Sequence, residues 1–413
     1  MKLRLVTAAA LCAFLAIPGG MTTGRSALAA GDSTPYGHST EAEEVDRFLR
    51  ALRTIRGQYV EPLTDRELVD IAIKAMAGRD RYSAYLDDGE YRQLQASNDG
   101  AFAGLGIRYE AHGTRVRIAE TVPESPAEAA GLRSGDVILA VDQQPVGGAE
   151  LATVKQMLSG PEGAAVSLTV LRAGTPDPFE VSVVRGKLRV PSVRLGAVGT
   201  VGYIRIARFD RQTATGVSTA IRSLRDRIGP DIGGFIIDLR DNPGGLVQAS
   251  VRVADSFLDK GTILTARSPG RGADKTYTAT PGDETDGLPL VVLVNAKSAS
   301  AAEILTGALK DHRRATVIGT TTFGKGIIQS VIPFDSGALK LTTARYYTPS
   351  GQSIHQIGIQ PDETIAEPAA AEDGSSAPVA GGIPNAANDQ VFARALSILR
   401  PPSTLRPQSA GLR

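Results

Sequence analysis

Cysteine is almost absent from this chain: there is one in 413 residues. It is Cys12, and it lies inside an N-terminal stretch that reads as an export signal. Lys2 and Arg4 form a short basic start, and residues 5–18 are an apolar run too short to span a bilayer comfortably. Ala27-Leu28-Ala29 then offers small residues at the two positions a signal peptidase reads, with cleavage before or after Ala30. The alternative is an uncleaved inner-membrane anchor. Cys12 lacks the small residues that precede a lipoprotein cysteine. A chain cut near Ala30 has no thiol, which excludes disulfides, thiolate metal sites and cysteine catalysis. Histidine is scarce as well, with four in the chain, and none has metal-ligand spacing such as H-E-x-x-H. No other stretch approaches about 18 consecutive apolar residues, so nothing else reads as membrane-spanning. An excess of one charge is also missing. The net charge is +1, which argues against a general attraction to nucleic acid or anionic membrane. What remains is a periplasmic or otherwise exported chain. At 42% hydrophobic and 22% charged it is globular in composition, and it is long enough for two or three domains.

After the signal (1–30), residues 31–40 are a polar linker. Residues 41–95 are helical in pattern: Val45, Phe48, Leu49 and Leu52 recur at helical spacing, then Leu68, Ile71, Ala72 and Ala75. Asp65 is a plausible cap for the second run. Nothing in this segment (31–98) points to chemistry. From residue 101 to 187 short β-rich runs appear at 106–110, 115–119, 137–141, 166–171 and 179–184, with short helices near 126–130 and 149–158. From 194 to about 361 strand and helix alternate. Strands are expected at 202–206, 234–239, 290–294, 315–318 and 339–346, and helices at 213–227, 247–258 and 301–310. The near-continuous apolar strands, such as Phe235-Ile236-Ile237, imply burial on both faces, and the alternation implies crossover units. Beyond 361 the chain turns Ala/Pro/Gly/Ser-rich and reads as disordered to about 388, with one short helix at 391–399.

Three stretches of the alternating region carry candidate chemistry. Asp238-Leu239-Arg240-Asp241-Asn242-Pro243-Gly244-Gly245 joins a buried strand to a helix. Its Gly-Gly turn lets backbone N–H groups face a bound oxygen. Alone, it is equally a plain turn. Ser298-Ala299-Ser300-Ala301-Ala302-Glu303 leaves the Ser300 hydroxyl approachable at the positive end of a helix. Alone, Ser300-x-x-Glu303 is a capping box. Gly319-Thr320-Thr321-Thr322-Phe323-Gly324-Lys325-Gly326 nearly matches a phosphate loop, which raises a nucleotide-binding reading. Gly326 stands where that loop has the Ser or Thr that holds magnesium, and an exported protein meets little ATP.

The 101–187 region resembles a PDZ domain. The resemblance rests on Gly104-Leu105-Gly106-Ile107, Ser125-Pro126-Ala127 leading to Ala130-Gly131-Leu132, and Gly135-Asp136-Val137-Ile138 ahead of Val141-Asp142. It implies that the backbone of Gly104, Leu105, Gly106 and Ile107 receives a peptide's C-terminal carboxylate while the peptide adds as a strand. With the three stretches above, most of the mature chain resembles the carboxyl-terminal processing peptidases, or tail-specific proteases. Tyr346-Tyr347-Thr348-Pro349-Ser350-Gly351 and Gly358-Ile359-Gln360-Pro361-Asp362 look like that family's terminal elements. The resemblance implies Ser300 as nucleophile, Lys325 as base and Gln329 as the residue supporting the lysine. Two departures are visible. Ala302 stands where the family often has a third serine, and Asp241 where Asn is more usual.

A lysine base has a physical requirement. Its ordinary pKa of about 10.4 leaves roughly 0.1% neutral amine near pH 7, so burial must lower it substantially. Phe323, Ile327 and Ile328 could line such a pocket. A close carboxylate would work against it, so no salt bridge to Lys325 is expected, and the Gln329 amide oxygen could hold the amine. The oxyanion would sit against the N–H of Ala301 and of Gly244 or Gly245. A histidine triad is the competing enzymatic reading. His38 is in the linker and His112 in the PDZ-like region. His312 lies roughly 18 Å along the helix begun by Ser300, and His355 stays open.

The expected architecture is an α/β protease core of crossover units, crotonase-like, at 190–365. A β-rich PDZ domain is inserted at 99–189, a helical segment precedes it, and a low-complexity tail follows at 366–413. The expected activity is that of a serine endopeptidase with a Ser-Lys dyad, acting on exported proteins or peptides with free C-terminal tails. No cofactor, metal or nucleic acid is called for. An adaptor or activating protein and a homo-oligomer are both compatible with the sequence. The non-enzymatic alternative is a periplasmic PDZ adaptor whose α/β domain only binds.

Overall fold

The computed structural model describes residues 40–268, 274–366 and 383–399. The expected signal, most of the linker and most of the low-complexity tail lie outside the described residues. The chain divides into two units, residues 1–69 and 70–413. The described part of the first holds the helix Glu41–Gln58, which Thr40 caps through a reciprocal pair of bonds with Glu43. The helix Asp65–Ala77 runs from the first unit into the second. No helix among the described residues is long and apolar enough to cross a membrane.

The centre of the second unit is a six-stranded sheet. In spatial order its strands are Val193–Val198, Val201–Ile206, Gly234–Asp238, Leu290–Val294, Thr316–Gly319 and Glu363–Thr364. The first pair is antiparallel and the others are parallel. Gly234–Asp238 and Leu290–Val294 are buried at every residue. Their alternate side chains feed two separate cores. Phe235, Ile237, Val292 and Val294 pack against the helices Thr213–Ile228, Val247–Asp255 and Ala301–Asp311. Ile236, Val291, Leu293 and Tyr203 pack against Val391, Phe392, Ala395 and Leu399. Burial on both faces is why these strands read as continuous apolar runs rather than alternating ones.

The second face is closed by the helix Gln390–Leu399. The sequence assigned that helix to a low-complexity tail. It is instead part of the core, with the Phe392 ring edge-on to Tyr203 at 5.5 Å. Asp389, just ahead of it, pairs with Arg240 at 2.8 Å. Arg240 also holds the fully buried Asp238. Against the cost of burial, that guanidinium keeps the Asp238 carboxyl below its ordinary range.

A second sheet contains Ala84–Leu86, Gly337–Tyr347, Thr262–Arg267 and Lys275–Thr278, with Ile327–Phe334 also paired to Gly337–Tyr347. Ala84–Leu86 corrects the expectation of a purely helical lead-in, since it pairs antiparallel with residues 338–340 of the long strand. Ile327–Phe334 and Thr262–Arg267 were not foreseen as strands either. The former is rich in β-branched residues (Ile327, Ile328, Val331, Ile332) and pairs along its length with Gly337–Tyr347.

The PDZ-like insertion has its own core of residues such as Ile118, Leu132, Ile138 and Leu168. Its sheet runs in the order Ile107–His112, Arg115–Thr121, Val137–Val141, Ala165–Leu171, Phe179–Val184. It joins the rest through a two-stranded stem, Ala101–Gly104 against Gly186–Arg189.

Candidate active site

Three adjacent parallel strands, Gly234–Asp238, Leu290–Val294 and Thr316–Gly319, end on the same edge of the central sheet. The segments that follow them, 239–245, 295–300 and 320–326, therefore converge there. This is where open parallel sheets gather ligands and chemistry. Ser298 stitches the first two together: its hydroxyl donates to the Leu239 carbonyl at 2.8 Å and accepts from the Asn295 N–H at 2.9 Å. Ala299 N–H donates to the Asn242 carbonyl at 2.9 Å, and Phe323 N–H donates to the Ser298 carbonyl at 3.0 Å. Asp241, at φ +58°, exchanges hydrogen bonds with the Asn295 amide.

Ser300 precedes the helix Ala301–Asp311 with φ 56° and ψ −113°. A side-chain-bearing residue is strained there, typically by 1–3 kcal/mol. Its neighbours hold it on both sides. Its N–H donates to Glu303 Oε2 at 2.8 Å, and its carbonyl accepts from the Tyr346 hydroxyl at 2.9 Å. Tyr346 is fully buried, which raises its pKa well above the ordinary value and keeps it a donor.

Glu303 does more than cap the helix. It is completely buried. Besides Ser300 it accepts from Thr322 Oγ1 at 2.6 Å, Gly324 N–H at 2.7 Å and Lys325 N–H at 2.8 Å. Its two oxygens are filled by four neutral donors. This carboxylate fastens the 320–326 segment to the start of the Ser300 helix.

Lys325 is half-buried, with its ammonium 4.9 Å from the centre of the Tyr82 ring. Burial lowers its pKa from the ordinary value, and the Lys340 cation pushes the same way. The charges of Asp80 and Glu303 act in the opposite direction. No salt bridge to Lys325 occurs among the described residues. Glu303 is nearby but already saturated. Asp80 is occupied by the Tyr82 and Ser83 N–H groups and the Ser83 hydroxyl. Asp80 and Tyr82 were invisible to sequence reasoning because they fall in the segment read as a plain helical lead-in. Of the expected pocket residues, Ile327 is buried and Ile328 half-buried, but Phe323 is 48% exposed.

Two expected contacts come out differently. The Gln329 side chain donates Nε2 to Thr342 Oγ1 at 3.5 Å, with no hydrogen bond to Lys325. A register shift between Ile328 and Gln329 sets its direction. Gly244 spends its N–H on Asn242 Oδ1 at 2.8 Å, so it is not a free oxyanion donor. The N–H groups of Ala301 and Gly245 have no hydrogen-bond partner among the described residues. Gly244 matters by being small. At φ 98°, a Cβ there would lie 2.8 Å from Ser300 Cβ and 2.9 Å from the Ala301 nitrogen. Gly245 is fixed for another reason, as a Cβ would strike the Phe209 carbonyl at 2.0 Å.

Histidine takes a secondary place. His312 Nε2 binds the Thr262 carbonyl at 2.7 Å, away from Ser300. His112 ends a strand of the PDZ-like sheet, and His38 lies outside the described residues. His355 does approach the lysine segment, packing its backbone on Gly326. Burial lowers its pKa, and Nδ1 is buried without a partner.

In the PDZ-like domain, Ile107–His112 is an edge strand, open to an added strand. Gly106 has φ 82°, and a Cβ there would meet Ser125 Cβ at 2.2 Å. The Leu105 carbonyl accepts from Ala127 N–H at 2.8 Å and the Gly106 carbonyl from Val122 N–H at 2.7 Å. Those bonds leave the loop's N–H groups turned to the other side.

Residues 200–365 match the Peptidase family S41 profile, and residues 117–172 match the PDZ domain profile. The chain is 38% identical over 329 residues to a carboxy-terminal-processing protease of Bartonella bacilliformis, covering 79% of this chain and 76% of that protein. This chain belongs to the carboxy-terminal-processing protease family. It is a serine-type peptidase of family S41 that carries a PDZ domain. It is also 37% identical over 327 residues to the carboxyl-terminal-processing protease of a Synechocystis species, covering 76% of this chain and 75% of that one. Among solved structures, a putative S41 protease of Bacteroides fragilis shares the fold, with TM-score 0.51, 19% identity and coverage of 84% and 96%. The S41 match encloses every residue of the protease site except Asp80, Tyr82 and Ser83, which reach it from ahead of the PDZ domain.

Proposed function

We propose that this protease cleaves exported polypeptides by a Ser300–Lys325 dyad after its PDZ domain has taken up their C-terminal tails. The observation that carries the reading is the single Glu303 oxygen that accepts from both the Ser300 and the Lys325 N–H at 2.8 Å. It holds the two segments together independently of either side chain.

In this reading, Lys325 as the neutral amine takes the Ser300 proton while Ser300 Oγ attacks the scissile carbonyl. The carbonyl oxygen becomes an oxyanion facing the N–H groups of Ala301 and Gly245, in the space that glycine at 244 leaves open. The ammonium returns its proton to the leaving amine. Water, deprotonated by the same lysine, then resolves the acyl-enzyme. The positive end of the Ala301–Asp311 helix favours the developing charge. Gln329 acts from a distance, through Thr342 and Ser83, on Asp80 and so on the field at the lysine. The N-terminal stretch delivers the chain to the periplasm, and residues 99–189 act as the tail-binding module.

The test is cleavage of an unstructured protein with an apolar C-terminus. Ser300→Ala and Lys325→Ala should each abolish cleavage while tail-peptide binding persists. Cleavage by both variants would rule out the dyad.

A further inference from the structure

The turn at 80–83 comes from ahead of the PDZ domain, yet it is built onto the lysine site. Asp80 accepts from the Tyr82 N–H at 2.7 Å, the Ser83 N–H at 2.8 Å and the Ser83 hydroxyl at 3.0 Å. Ser83 is buried, and its Oγ accepts from the Thr342 N–H of the long strand at 2.9 Å. The turn is thus closed on itself and fastened to the sheet. It presents the half-buried Tyr82 ring to Lys325, whose ammonium lies 4.9 Å from the ring centre. Arg81 steadies that ring. Its guanidinium carbon is 4.7 Å from the same centre, and it donates a hydrogen bond to the Tyr82 hydroxyl.

A ring face attracts an ammonium and not a neutral amine. A carboxylate in the same place would hold the resting lysine protonated. The pull of the ring is weaker, and it acts in full only once the lysine has taken a proton. Contacts that are stronger in the transition state than in the ground state are the ones that speed a reaction. This contact strengthens as charge arrives on Nζ. The charged and titratable groups facing Lys325 are Asp80 and Arg81 of the turn, Glu303 of the Ser300 helix, Lys340 of the long strand, and His355, packed on Gly326. Both carboxylates are occupied by neutral donors, and neither forms a salt bridge with the lysine.

We propose that Tyr82 is a positioning residue for the catalytic base, its ring holding the Lys325 ammonium that forms when Ser300 gives up its proton. The inference rests on the reading of Lys325 as the base.

Steady-state hydrolysis of a short peptide by the full chain across pH tests it. Tyr82→Leu keeps much of the bulk and removes the ring face. Its kcat should fall roughly three- to tenfold on the high-pH plateau, with KM unchanged. The deficit should shrink as pH falls, and the rising limb should move to lower pH, because the ring acts through the ammonium alone. Tyr82→Phe should recover most of the lost rate and return the limb to higher pH. Phenylalanines carrying one, two or three ring fluorines in place of Tyr82 keep the shape while weakening the ring face. Plateau and limb should step down along that series, which decides the matter if Tyr82→Leu unfolds. A loss in Tyr82→Leu that is equal at every pH overturns the proposal, as does a flat fluorine series. So does a Tyr82→Phe protein as impaired as Tyr82→Leu. Lys325→Met separates the two readings. If it still hydrolyses the peptide, the base itself is misassigned; if it is inactive beside an unaffected Tyr82→Leu, only the role of the ring falls.

Discussion

The backbone N–H groups of Ser300 and Lys325 donate to the same oxygen of Glu303, each at 2.8 Å. The two nitrogens are thus within twice that distance of each other. Glu303 is completely buried and spends its remaining capacity on Thr322 and Gly324. The segments that carry Ser300 and Lys325 are thereby held together through the backbone. The side chains stay available for chemistry.

Glu303→Gln replaces an acceptor oxygen with an N–H₂ group that faces other donors. At a buried position this costs about 2–4 kcal/mol. Thermal unfolding should show a clear drop in Tm. Peptide hydrolysis should fall even at temperatures where the variant is fully folded. Unchanged kinetics in the folded variant would mean that Glu303 only caps the helix.

Gly244→Ala should leave the PDZ domain's tail binding intact and cut kcat by roughly 10²-fold or more, the cost of losing one oxyanion contact. The added methyl group would meet Ser300 Cβ and the Ala301 nitrogen. Steady-state kinetics on a short peptide separate kcat from KM. A change confined to KM would place Gly244 outside the oxyanion site.

The charges around Lys325 make opposite predictions about pH. Burial and Lys340 lower the lysine pKa, and Asp80 raises it. The rising limb of kcat/KM should therefore move to higher pH in Lys340→Gln and to lower pH in Asp80→Asn. The same sign reaches stability. A lysine whose folded pKa lies below the unfolded one binds fewer protons in the folded state. Its destabilising effect is fully present below the folded pKa and fades as pH rises towards the unfolded value. Lys325→Met should accordingly raise Tm at neutral pH while removing activity. Equal Tm values would mean that the ammonium is fully solvated.

Much of this was legible in the sequence. Near-continuous apolar runs gave the buried strands 234–239 and 290–294, because burial on both faces leaves no polar alternation. The helix at 301–310 was legible from its local pattern, whereas Ser300 and Lys325 taken alone read as a helix cap and a loop lysine, and only the family resemblance singled them out. What escaped was long-range. Ala84–Leu86 becomes a strand only by pairing with residues 338–340. Asp80 and Tyr82 reach the lysine from before the PDZ insertion, a proximity no local pattern encodes. Glu303 looked like half of a capping box, and it is one. Its other bonds come from a segment whose approach depends on the parallel register of 291–294 with 316–319. Gln329 pointed elsewhere because a one-residue register shift redirects a strand.

The central claim is that Lys325 activates Ser300. The most direct measurement is the rate at which a fluorophosphonate labels the protein, followed by peptide mapping across pH, in the wild type and in Lys325→Met. The account predicts one adduct, on Ser300. Its rate should climb with pH to a plateau below the ordinary lysine pKa, and fall by roughly 10³-fold or more in Lys325→Met. Labelling at another residue, or at Ser300 with the same rate and pH profile in both proteins, would contradict it.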